Sequence, residues 1–188
     1  ATIEENNMDV VLLEKLPKIA VYSPDDKQPW DDAVTLALTY AEIEYETVFD
    51  EEVLTSKLKE YDWLHLHHED FTGQYGKFYK SYRNANWYKQ QVADFNSTAA
   101  QFGFSSVHEL KKAIAVKIKT FVSNGGFLFA MCSATDSFDI ALAAVNVDIA
   151  DTPFDGTPVE SGYAGKLNFA NSFAFENYQL YTNPMTYE

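Results

Sequence analysis

Apolar residues follow two rhythms along this chain: short continuous runs, and longer stretches in which they return every three or four positions. The runs at 18–22, 45–49, 62–67 and 126–131 are rich in aromatic and β-branched residues and are bounded by turn formers, so each predicts a strand. The last, Gly-Phe-Leu-Phe-Ala-Met, has no polar alternation and predicts a fully buried one. Between them lie helical stretches. Asp31 and Asp32 suit a helix N-terminus before a segment carrying Ala33, Val34, Leu36, Ala37, Leu38, Tyr40 and Ala41, and Trp30 suits a hydrophobic staple there. Asp50, Glu51 and Glu52 open a helix that turns Val53, Leu54 and Leu58 inward. A helical pattern covers 87–101. Val107, Leu110, Ile114, Ile118 and Phe121 mark one face of the next helix, with Ser105 or Ser106 as its cap and Asn124-Gly125 as its end. Residues 137–145 resume as an apolar helix.

Strands alternating with helices predict an α/β fold, because parallel neighbours need crossovers whose helices cover the sheet. The expected form is a doubly wound, mostly parallel, flavodoxin-like sheet of strand order 2-1-3-4 with helices on both faces. At 188 residues a single domain spanning 1–188 is expected. From residue 151 the chain changes character. Pro153, Gly156, Pro158, Gly162 and Gly165 punctuate it, and the aromatic runs 167–169 and 178–181 are expected as antiparallel additions. The aromatic, glycine-bearing segment 71–79 is long enough for a functional loop.

Composition narrows the partners. A net charge of −14 argues against nucleic acid and against anionic membranes, which both need clustered Lys and Arg. No apolar run reaches the ~20 residues of a membrane span, so a soluble protein is expected, cytoplasmic or periplasmic. One cysteine excludes an intramolecular disulfide. The chain starts without Met and stops just after a strand-like stretch, which leaves open a longer protein, an additional domain or a homo-oligomer.

That cysteine, Cys132, falls between the last strand and the last apolar helix. A strand-to-helix turn at the carboxyl edge of such a sheet is where ligands bind. A helix N-terminus there can stabilise a thiolate, and adjacent backbone N–H groups can hold an oxyanion. A lone cysteine is more often a small core hydrophobe. The string Gly125-Gly-Phe-Leu-Phe-Ala-Met-Cys-Ser-Ala-Thr-Asp136 resembles the nucleophile elbow of the class I glutamine amidotransferase-like superfamily. Longer strings at 27–33, 61–76 and 127–139 are similar to a bacterial group labelled asparagine synthetase B-like. The resemblance implies a Rossmann-like domain with Cys132 as the nucleophile of a hydrolase. It does not carry asparagine synthetase activity, because this chain has neither an N-terminal cysteine nor a Ser-Gly-Gly phosphate loop. True glutaminases of the superfamily have glycines two positions before and after the cysteine, where Ala130 and Ala134 stand here. They also need a His after the elbow, and none follows His108, so the Cys-His-Glu triad of that family is incomplete in this chain.

Three histidines stand in His65-Leu-His-His-Glu-Asp70 at the end of the third strand. If strands three and four are neighbours, His67, His68 and Glu69 lie beside Cys132, giving a base and, with Glu69 or Asp70, an orienting carboxylate. The same groups could ligate zinc, although their spacing matches no zinc motif, and no metal or other cofactor is called for. They could also simply satisfy a polar strand end. Trp30, Asp31, Asp70, Gln74, Tyr75 and Ser133 are candidate ligand-binding residues around this edge. Three functions therefore stand: a Cys132-centred hydrolase or amide-transfer domain, an inactive domain of the same fold that binds a small molecule, a sugar or a protein, and, third, a metal-dependent hydrolase centred on His67, His68 and Glu69.

Overall fold

The computed structural model describes residues 16–24, 32–75 and 78–186. Four strands form one parallel sheet: β1 (Ile19–Tyr22), β2 (Tyr45–Val48), β3 (Trp63–Leu66) and β4 (Phe127–Ala130), in the order β2-β1-β3-β4. The helices are α1 (Asp32–Tyr40), α2 (Asp50–Leu54), α3 (Tyr79–Tyr82), α4 (Asn86–Gln101), α5 (Val107–Ser123), α6 (Ser133–Ala143) and α7 (Thr152–Asp155). Three 3₁₀ turns, Lys57–Glu60, Tyr163–Gly165 and Phe169–Asn171, complete the described elements. The architecture is a flavodoxin-like α/β fold. From β1 the chain steps one way to β2 and the other way to β3 and β4, so right-handed crossovers place α1 on one face and the later helices on the other.

The core lies beneath α5. Val107, Leu110, Ile114 and Ile118 recur on one face of that helix and are all buried, together with Tyr22, Leu64 and Leu66 of the sheet and Phe71 and Phe138. Ser106 caps α5, its Oγ accepting the Glu109 N–H at 3.2 Å. Past the helix, Gly126 makes room for Phe121: a Cβ there would come within 2.3 Å of the Phe121 ring and would have to displace it. Inside this apolar layer sits a buried ion pair. Lys111 Nζ lies 2.8 and 2.9 Å from the two carboxylate oxygens of Asp50 and 3.0 Å from Tyr22 Oη, and it stands 4.4 Å over the Phe49 ring. The Tyr22 hydroxyl donates to Asp50, and burial followed by the Asp50 charge holds its pKa well above the usual tyrosine value.

Two expectations are overturned. β4 is not fully buried: Phe127 and Phe129 are 56% and 45% exposed, while Leu128 and Ala130 between them pack on the core. As an edge strand it is covered by helices on one face only, so alternation of environment appears where the sequence has no alternation of polarity. Nor do 167–169 and 178–181 form strands; Phe169–Asn171 is a 3₁₀ turn and 178–181 is irregular. The backbone of this tail is held by side chains instead. The Asp139 carboxylate of α6 accepts N–H groups from Phe173, Ala174 and Phe175 at 2.8, 2.7 and 2.8 Å, and Tyr163 Oη donates to the Leu180 carbonyl at 2.9 Å.

Removing the cation at 111 alone should be severe. Lys111→Met leaves Asp50 buried without its partner and should cost about 3–5 kcal/mol in urea unfolding, whereas Lys111→Met combined with Asp50→Asn should recover much of that loss. A single-variant cost below about 1 kcal/mol would show that the pair is solvated.

Candidate functional site

β4 ends at Ala130, Met131 donates its N–H to the Leu66 carbonyl at 3.0 Å, and the chain then reverses into α6 with Cys132 as the N-cap residue. Cys132 has φ 54° and ψ −141°, a conformation that L-residues rarely adopt, and its side chain is exposed. This is a strained strand-to-helix turn, and it forms with Ala130 and Ala134 two positions to either side of the cysteine. Ala134 fits because it is wholly buried in the core. The Cys132 carbonyl accepts the N–H and hydroxyl of Thr135 at 3.2 and 2.6 Å. Of the first N–H groups of α6, that of Thr135 is thus engaged, while those of Ser133 and Ala134 have no partner within the helix and point toward its N-terminal end, where Cys132 stands.

Two hydroxyls one helical turn apart fasten this elbow to the end of β3. Ser133 Oγ donates to the His68 carbonyl at 2.8 Å, and Ser137 Oγ to the Glu69 carbonyl at 2.9 Å. The histidine segment and Cys132 are thereby neighbours, as β3–β4 pairing requires. His65 points to the sheet face opposite the core, where its ring stacks on Phe129 at 5.3 Å. Burial, and then the neighbouring His67, lower its pKa. The His67 ring lies 4.6 Å from that of His68 and 6.4 Å from that of His65, and its Nδ1 is buried without a hydrogen-bond partner among the described residues. No hydrogen bond joins the Cys132 sulfur to an imidazole among those residues. Nor do three or more His, Cys, Asp or Glu side chains there gather as a metal site would require.

The carboxylates serve the backbone. Glu69 Oε2 accepts the His67 N–H at 2.9 Å, and Asp70 accepts the Thr72 N–H, the Thr72 hydroxyl and the Gln74 N–H at 2.7, 2.6 and 3.2 Å. The turn they shape lies against α5: Gly73, at φ 79°, would place a Cβ 2.6 Å from the His108 Cα. The fourth histidine, His108, is buried there and its Nδ1 donates to the Thr72 carbonyl at 2.7 Å. Tyr75 is a core residue, its hydroxyl donating to the Phe154 carbonyl at 2.9 Å. Ser133 acts as a tie, and Gln74 faces a cleft beside α6. Trp30 and Asp31 lie outside the described residues. The role of Ser137 was missed, although its spacing of four from Ser133 puts both hydroxyls on one helix face.

No protein-family model, curated protein or solved structure matches this chain. Among the described residues no helix is long and apolar enough to cross a membrane.

The lowered pKa of His65 fixes a sign. A histidine whose folded pKa is depressed stabilises the fold above the ordinary value of about 6.5, and this is lost as pH falls through and below that value. Wild-type protein should therefore lose more unfolding free energy between pH 7.5 and 5 than His65→Leu does. Equal losses would mean that His65 is solvated in the folded state.

Proposed function

We propose that the chain is a class I glutamine amidotransferase-like domain in which Cys132 is the nucleophile of an amide hydrolysis or amide-transfer reaction. The observation that carries this reading is the exposed thiol on a backbone at φ 54°, at the N-terminus of an 11-residue helix. A residue kept in so costly a conformation points to a functional demand on the side chain it bears. The thiolate would add to an amide carbonyl, with the oxyanion facing the first N–H groups of α6. Collapse of that adduct would leave a thioester on Cys132 and release ammonia or an amine. Attack by water or an acceptor amine would then free the thiol. In this reading His67 or His68, which follow β3 beside the elbow, is the base and proton donor once its side chain engages the sulfur.

A second reading, a non-catalytic binding domain on the same fold, is favoured by one feature: the Asp70 carboxylate is spent on the Thr72 and Gln74 N–H groups and the Thr72 hydroxyl, which shape the turn. The two readings differ in the reactivity of one atom. Iodoacetamide at neutral pH should alkylate Cys132 at least about tenfold faster than free cysteine, with the rate falling in His67→Gln or His68→Gln. Alkylation no faster than that of free cysteine would favour the binding domain.

A further inference from the structure

Beside the elbow a cleft of about 230 Å³ opens between the 70–74 turn, the outer side of α6 and the tail at 179–182. It is smaller than the pockets of about 300–1,000 Å³ that take drug-sized ligands, and suits a single ring. Its walls are held before any ligand arrives. Asp70 fixes the turn, Ser137 ties α6 to Glu69, and the tail is anchored by the bond from Tyr163 Oη to the Leu180 carbonyl and by Leu180 packing against the cluster of Ala144, Val147 and Ile149.

The groups left to face a ligand are specific in kind. The side chains of Gln74, Gln179 and Thr182 line the cleft and make no hydrogen bond among the described residues. Asp136 uses one oxygen on the Ser137 N–H at 2.9 Å and keeps the other. Ile140 and Ile149 supply apolar surface, and the Tyr181 ring, 81% exposed, stands at the rim. Two amides, a hydroxyl and a half-engaged carboxylate offer both donors and acceptors, while an exposed aromatic ring offers a flat face to C–H groups. Among the described residues no Lys or Arg lines the cleft, two of its lining residues are Asp, and the chain carries −14, which together repel anions.

We infer that this cleft is a binding site for a non-anionic, hydroxyl-rich ring, a neutral or amino sugar, stacked on Tyr181 and hydrogen-bonded by Asp136, Gln74 and Gln179. The site stands whether or not Cys132 is a nucleophile, because none of these groups is asked to do chemistry.

The test uses the whole chain and four probes: D-glucose, N-acetylglucosamine, glucosamine and, as the anionic counterpart, glucuronate. Methyl resonances of Ile140, Ile149 and Leu180 should shift saturably with at least one of the first three and not with glucuronate. Tyr181→Ala and Asp136→Asn, both on accessible positions, should each weaken that binding by up to about tenfold while leaving the other methyl resonances in place. Saturable shifts from glucuronate equal to those from the neutral sugars would overturn the inference. So would the absence of any saturable shift at these methyls, or undiminished binding by both variants. Alkylation of Cys132 is a separate readout, so failure here leaves the proposal for the thiol untouched.

Discussion

The site depends on how the end of β3 is fastened to the beginning of α6. A cysteine at φ 54° gains nothing from its own backbone; the turn persists because its surroundings fix both flanks. On one side the β4 ladder continues to the bond between Met131 N and the Leu66 carbonyl. On the other, Ser133 and Ser137 take the carbonyls of His68 and Glu69, and Ala134 is packed in the core. Helix and strand are pinned on each side of one residue, and Cys132 absorbs the change of direction between them.

The same fastening orders the polar end of β3. His68 and Glu69 give their carbonyls to α6, Glu69 and Asp70 turn their carboxylates to nearby N–H groups, and the turn is pressed against α5 at Gly73 and His108. A segment dense in titratable groups is thus held mainly by bonds to backbone, which gives the imidazoles a fixed frame. Further in, the Lys111–Asp50 pair with Tyr22 anchors α5 to the carboxyl end of β1 and the start of α2. Removing one member leaves a buried charge, so these elements stand or fall together. The tail closes the other side through Asp139, and the cleft beside α6 exists because that tail is strapped down rather than added to the sheet.

Legibility in the sequence followed how local each cause was. The strands, the helices and the elbow position were readable because short apolar runs and the three-to-four repeat of α5 state them directly, whereas the strand order 2-1-3-4 was an expectation from the alternation of strands and helices, which the sheet bears out. The exposed face of β4 was not readable, since Phe-Leu-Phe-Ala-Met has no polar position and only the absence of a covering helix at the sheet edge creates the difference. The tail misled because Tyr and Phe favour strands, yet 167–169 and 178–181 flank a segment whose N–H groups, at Phe173, Ala174 and Phe175, are taken by the Asp139 carboxylate of a different element. The buried Lys111 was hidden for a similar reason: on α5 it reads as a surface residue until Asp50, far away in sequence, is seen to face it. Within the site the neighbourhood of Cys132 and the histidines was visible, and the engagement of Glu69 and Asp70 with backbone was not.

The central claim is that Cys132 is held in a costly conformation by its flanks. Comparing the unfolding free energies of Cys132→Gly and Cys132→Ala tests this most directly, because glycine alone is free of the steric penalty at this φ. The glycine variant should be the more stable by at least about 1 kcal/mol. An alanine variant equal to or more stable than the glycine variant, as in an ordinary helical first turn, would contradict the account.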